Sequence, residues 1–209
     1  MILWFVLFGL VVLISFVLAL LSMREYHEIP KESDYGLFLI RKPTELTDKF
    51  LDSIQHILDS KVLSIERLIK GDQSVLVVFG PRSLLLENKD LLDLVELEDY
   101  TRIGSRNVSC YEVGNSEKMF TNLPKLLHSE EFWCQFLLSS KADGVYFCQT
   151  RIAVVADTER RRVITEKFLK IPKAFSNEQM LDFYKKRIFR NDSSNVSLKS
   201  SEMAELFRL

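Results

Sequence analysis

Two basic triplets, Arg160-Arg161-Arg162 and Lys185-Lys186-Arg187, are the residues of this chain best suited to a chemical task. Guanidinium and ammonium groups at that density suit phosphate oxygens, of an anionic lipid or of nucleic acid, or an acidic protein partner. Both triplets belong to a stretch, Arg151 to Arg190, with eleven Lys/Arg against five acids. Arg82 to Asp99 has the opposite bias, with six acids against Arg82 and Lys89. Two readings of the basic stretch stay open: a contact surface for anions or a partner, and a solvated helix face. No aromatic residues interleave the arginines, so stacking on bases, and with it direct nucleic-acid binding, is not expected. Three arginines in the first turn of a helix oppose its dipole by a few tenths of a kcal/mol, about 0.3 or more each, and call for a local reason.

Catalytic motifs are absent from the sequence. The FGPRS turn at Phe79 to Ser83 lacks the second Gly and the Lys of a phosphate-binding loop, and no G-x-G-x-x-G occurs. His27, His56 and His128 are isolated, without the carboxylate or His spacing of a metal site. GSRN at Gly104 to Asn107 is not a nucleophile elbow, and the acids of Glu96 to Asp99 read as a solvated run. The expectation is a non-catalytic protein with no cofactor and no metal. Cys110, Cys134 and Cys148 have no C-x-x-C spacing and read as buried free thiols, although Cys134 and Cys148 fall on two segments of one expected hairpin. Three Asn-x-Ser sequons, at Asn107, Asn191 and Asn195, are the weak counter-signal for a lumenal setting.

These residues must be positioned by elements that begin with a membrane anchor. Met1 to Ser22 contains no charged side chain, and the first charge is Arg24. At helical rise this is about 30 Å of apolar rod, the thickness of a bilayer's hydrocarbon core. No cation precedes it, and no small-residue cleavage site follows, so a permanent span is expected rather than a signal peptide. Cations flank it only at its C-terminal side (Arg24, Lys31, Arg41, Lys42), which favours a cell-membrane protein with the bulk of the chain cytoplasmic. The net charge of −1 creates no strong field toward nucleic acid, and seven Gly and five Pro in 209 residues do not suit a low-complexity chain.

Beyond a stalk at 23–33, periodicity predicts an α+β protein. Tyr35 to Arg41 reads as a strand, and Leu46, Phe50, Leu51, Ile54, Ile57 and Leu58 as one face of a helix. Leu63 to Lys70 and Ser74 to Phe79 read as strands, Ser83 to about Glu98 as a helix, and Asn107 to Val113 as a strand. The order β-α-β-β-α-β is that of a ferredoxin-like unit over 34–115. A second, degenerate α+β unit over 116–190 is expected to pack on it. Its parts are a helix-like stretch broken by Pro124, a hairpin (Phe132 to Leu138 and Val145 to Ala156), a helix capped at Asp157 or Thr158, and a helix over Asn177 to Phe189. Residues 191–209 read as a linker and the start of a terminal helix. That helix either docks on a partner or marks a reading frame shorter than the ancestral one.

The stretches LSIERLIKGDQSVLVVFGPRSLL, FWCQFLLSS, VYFCQTRIAVVADTERRRVI and SSEMAELFRL together resemble the membrane-anchored N-terminal region of conjugation-type, type IV secretion-like ATPases of bacteria. In that family a helix resembling S-x-E-E-L-A-x-L-F-H-x-P precedes the nucleotide-binding part. Glu202, Ala204, Leu206 and Phe207 match it, and Arg208 stands where the family has His. The resemblance implies an assembly or scaffold component of a secretion- or conjugation-like machine, held in the lipid bilayer by Met1 to Ser22. A separate ATPase is the protein partner it suggests. The alternative is a membrane-tethered binding module that uses the basic 151–190 face.

Overall fold

The structure is a computed structural model that describes residues 34–58, 61–98, 107–114, 120, 123–142, 144–168, 175–190 and 195–207. The predicted span Met1 to Ser22 and the stalk lie outside the described residues. Among the described residues no helix is long and apolar enough to cross a membrane.

Strand β1 (Tyr35–Ile40) leads through a 3-10 turn at Pro43–Glu45 into helix α1 (Asp48–Gln55). Thr47 caps α1, its Oγ1 accepting the Phe50 N–H at 3.3 Å, a device worth about 1 kcal/mol. A hairpin follows, β2 (Val62–Lys70) and β3 (Gln73–Pro81), turning at Gly71 with φ +55°. The leucine-rich segment is shorter as a helix than its spacing predicts. It forms α2 (Arg82–Glu87) and α3 (Lys89–Leu92), then Asp93 adopts φ 49° and breaks the helix. Strand β4 (Leu94–Leu97) follows directly. Burying Leu94 against the core and pairing with β1 replaces the two further turns expected up to Glu98.

Strand β5 (Val108–Val113) is therefore not the fourth strand of the first four-stranded group. It lies at the far end of the sheet, beside β7. The long hairpin β6 (Glu131–Ala142) and β7 (Val145–Val155) turns at Gly144 with φ +67°. Residues 123–130 contain no helix, and most of the helix-like stretch expected before Pro124 lies outside the described residues. Helices α4 (Thr158–Thr165) and α5 (Asn177–Lys185) follow. Strand β8 (Val196–Lys199) occupies part of the segment read as linker, and helix α6 (Ser200–Phe207) ends the described chain.

All pairings are antiparallel, in the order β4-β1-β3-β2-β6-β7-β5, with β8 on the N-terminal half of β7. The second half of the chain joins the first edge to edge rather than face to face. β2 and β6 pair from Val62↔Ser139 through Lys70↔Glu131 and make one continuous sheet. Alternation along the strands gives this sheet two different faces. The first holds the main core: Phe38, Ile65, Val78, Phe136 and Ile152, covered by Leu51 and Ile54 of α1, Leu84 and Leu85 of α2, Ile164 of α4, and Met203 and Phe207 of α6. The second carries a smaller cluster, with Met180, Leu181 and Tyr184 of α5 packed on Cys110, Trp133 and Ala153. The terminal helix docks on its own chain: Met203, Ala204, Leu206 and Phe207 are all buried.

Candidate functional site

Among the described residues the densest polar chemistry is buried, on the second face of the sheet. Glu66 of β2 is fully enclosed. Its Oε1 accepts hydrogen bonds from Ser64 Oγ (2.7 Å), Gln135 Nε2 (2.9 Å) and Arg187 Nε (2.8 Å). The Arg187 guanidinium also lies 4.3 Å from the centre of the Phe79 ring, a cation–π contact. Beside it Arg151, with no exposed surface, donates to the carbonyls of Phe183 (2.9 Å) and Ile188 (2.5 Å) and to Gln149 Oε1 (3.0 Å). Burial lowers its pKa to about 10, against the opposing pull of Glu112, so it remains charged at neutral pH. Arg190 pairs with Glu112 at 3.6 Å and lies over Phe175.

Local backbone chemistry explains why these groups meet. Helix α5 begins with a capping box, Ser176 with Gln179, and ends in a Schellman turn. In that turn the Ile188 N–H donates to Phe183 O (3.1 Å) and the Arg187 N–H to Tyr184 O (3.2 Å). The left-handed position of that turn is occupied by Arg187 at φ 52°, where Gly is the usual residue. Its backbone costs about 1–2 kcal/mol as a non-glycine residue. The turn aims its side chain at Glu66, with which it forms a buried ion pair. Arg151 serves the same helix end through the carbonyls it binds, a cation at the negative pole of a dipole.

The two basic triplets are not brought together. Arg160, Arg161 and Arg162 lie on α4, which packs on the first face, and Lys185, Lys186 and Arg187 close α5 on the second. Arg160 clamps the buried Glu130 through Nε (2.6 Å) and Nη2 (2.9 Å) and also reaches Lys125 O. Arg161 donates to Ser109 Oγ and Thr158 Oγ1. Arg162 pairs along its helix with Glu159 and Glu166, and Lys186 with Asp182. Arg187 is buried as described, and Lys185 is half-buried. These contacts, with Asp157 capping α4 by accepting the Arg160 N–H, supply the local reason that three arginines near a helix start require. The buried network escaped the sequence reading because Glu66, Gln135, Arg151 and Arg187 are far apart in the chain. The helix expected through Phe189 ends instead at Lys185, where Arg187 takes the left-handed position of the turn.

The Arg160 guanidinium holds the Glu130 carboxyl below the usual carboxylate range. A depressed carboxyl contributes stability in full above the unfolded glutamate pKa of about 4.3, and loses it as pH falls through the lower folded value. Urea midpoints of the parent and of Arg160→Gln, measured from pH 7 down to pH 3, should therefore differ most at neutral pH and converge in acid. A gap that persists unchanged at pH 3 would remove Glu130 as its source.

Cys110, Cys134 and Cys148 are buried and form no disulfide. In the hairpin Cys134 faces Ile152 and Cys148 faces Leu138, so the two are not cross-strand partners. Burial pushes the Cys148 thiol up to about 12 and that of Cys134 well above its usual range, so neither is a nucleophile at neutral pH. A cavity of about 260 Å³ on the second face is lined by Leu68, Val75 and Trp133, with the Lys70–Glu131 pair beside it. Among the described residues no group of His, Cys, Asp and Glu could hold a metal ion. No protein-family model matches the chain, and no curated protein matches it at a significant level.

Proposed function

We propose that this chain is a single-pass membrane-anchored scaffold or assembly component of a secretion- or conjugation-like machine. Its bulk would face the cytoplasm, and its role would be non-catalytic. The observation that carries the reading is where the buried charges go. Glu66, Arg187 and Arg151 tie the end of α5 to the sheet, and Glu130 with Arg160 ties α4 to the entry of β6. Such groups build a rigid platform rather than converge on a ligand. The strand order β4-β1-β3-β2, with helices between β1 and β2 and between β3 and β4, supports a ferredoxin-like unit as the first part of that platform. A separate ATPase as partner rests on the resemblance of residues 200–208 alone, since α6 itself is buried against its own chain. The pairing of Arg160, Arg161, Arg162 and Arg187 within the chain favours this reading over lipid binding by the basic stretch.

Membrane extraction tests the anchor. The full chain should stay in the membrane pellet after alkaline carbonate. A variant carrying Leu10→Arg and Leu13→Arg should move to the supernatant, since each central Arg costs about 2.5–3.5 kcal/mol of insertion. Full release of the parent chain overturns anchoring. Failure of the anchored chain to co-purify an ATPase subunit from its own cells overturns the machine assignment.

A further inference from the structure

The two ends of the sheet are finished differently. At one end the edge of β5 is closed by a side chain. Asn177 Oδ1 accepts the Cys110 N–H (2.8 Å) and Asn177 Nδ2 donates to Val108 O (2.9 Å), so one carboxamide takes the place of a neighbouring strand. At the other end β4 hydrogen-bonds β1 and, among the described residues, no further strand. An edge strand with one neighbour leaves a row of backbone donors and acceptors able to accept another strand. The side chains around it have a definite pattern. Val95 and Leu97, opposite Leu39 and Leu37, project on the second face, and Leu97 is exposed. Glu96 projects on the first face beside Arg82, at 2.7 Å. From Arg82 to Glu98 there are five carboxylates (Glu87, Asp90, Asp93, Glu96, Glu98) against Arg82 and Lys89, and Glu96 and Glu98 are exposed.

We infer that β4 is a strand-addition site for an extended segment of a protein partner in which Lys or Arg alternates with β-branched or other apolar residues. Backbone hydrogen bonds to β4 supply the affinity common to any sequence, and the alternation supplies selectivity. On one face the apolar residues of the partner lie against Val95 and Leu97. On the other its cations meet Glu98 past the strand end and share Glu96 with Arg82, which already holds it at 2.7 Å. A second copy of this chain fits poorly, because β4 against β4 would bring two acidic runs together, and like charges across a strand pair are destabilising. The inference deepens the assembly role by naming a partner's chemistry, and it does not depend on the anchor.

The test uses the full chain in neutral detergent and three fluorescein-labelled peptides of about eight residues, a typical strand length. One alternates Lys with Val, the second has Pro at two of the Val positions, and the third alternates Glu with Val. The Lys-Val peptide should bind saturably and slow hydrogen exchange of the Leu94–Leu97 amides. The Pro peptide, which keeps the charge but lacks the amides and extended pairing, should bind about tenfold more weakly or not at all. The Glu-Val peptide should do the same. On the protein side, Glu96→Gln with Glu98→Gln changes two exposed groups and should weaken the Lys-Val peptide about tenfold. Equal binding of the Lys-Val and Pro peptides reduces the effect to charge alone and overturns strand addition. So does exchange protection located elsewhere. A chain that is already dimeric, with Leu94–Leu97 protected before peptide is added, assigns the edge to a second copy and likewise overturns the inference.

Discussion

Glu66→Gln is expected to destabilise the fold by about 3–5 kcal/mol, because it leaves the Arg187 guanidinium enclosed without its counter-charge. The Glu66 and Arg187 side chains are 0% and 2% exposed, so water cannot take over. Gln at 66 still offers one oxygen to the Ser64, Gln135 and Arg187 donors that now crowd Oε1, but no charge. Arg187→Gly makes the complementary point. Glycine suits the left-handed turn and relieves about 1–2 kcal/mol of backbone cost, yet it strips the cation from a buried carboxylate, and the net effect remains destabilising. Replacing both partners together, Glu66→Leu with Arg187→Met, removes both desolvated charges and puts a flexible apolar chain against Phe79. That double variant should recover most of the loss, as apolar replacements of buried pairs often do, within about 1 kcal/mol of neutral or better. Urea unfolding of the four proteins, read by far-UV circular dichroism, measures each of these changes against the parent. A Glu66→Gln loss under about 1 kcal/mol, the range of an exposed pair, would mean that water reaches the site and that the pair does not hold α5 in place.

That pair also marks the boundary of what the chain discloses one residue at a time. β1 and β2 follow from alternation, β3 from its continuous apolar run after the turn at Gly71, and the β6–β7 hairpin from its turn at Gly144. The start of α4 follows from Asp157, whose side chain accepts the Arg160 N–H as an N-cap should. Local chemistry decides these elements, so local reading finds them. Leu94–Leu97 was hidden because leucine spacing continues through it, and only the left-handed backbone at Asp93 separates helix from strand. A strand expected over Asn107 to Val113 forms at Val108–Val113, but its neighbour is β7, and strand partnership is a property of the assembled sheet. The basic triplets show the limit most plainly. As a run of letters they form two positive patches; in the fold they lie on opposite faces, and Arg187 points inward because its backbone adopts the turn conformation usually taken by Gly. Whether a cation faces solvent or a buried carboxylate is set by residues more than a hundred positions away, here Glu66 for Arg187.

Phe207→Ala should cost about 3–5 kcal/mol, the range for emptying a buried phenylalanine site. It should also act first on one element. The ring is 1% exposed and meets Phe136 edge-to-face at 5.4 Å, while the Phe207 carbonyl accepts from Arg67 Nη2 at 3.4 Å. Arg67 is itself buried, over the Phe120 ring at 4.2 Å, so α6 ends on a cation held in place by the sheet. At its other end Ser200 Oγ donates to Asp52, the Ser200 N–H donates to Gly144 O (3.1 Å), and Glu202 accepts the Lys199 N–H (2.7 Å). An eight-residue helix is not stable in isolation, so its order depends on these two attachments and on the apolar face between them. Removing the Phe207 ring should therefore raise amide exchange across Ser200–Phe207 well before it does so in β2 and β6, where each strand is paired on both sides. Ser200→Ala should loosen the same amides by a smaller amount, on the order of 1 kcal/mol for one hydrogen bond. Uniform acceleration across the whole sheet would instead show that α6 is inseparable from the global unfolding unit. Selective release would show that α6 is a detachable part of the fold. An assembly element could then transmit the docking of a partner through that helix alone.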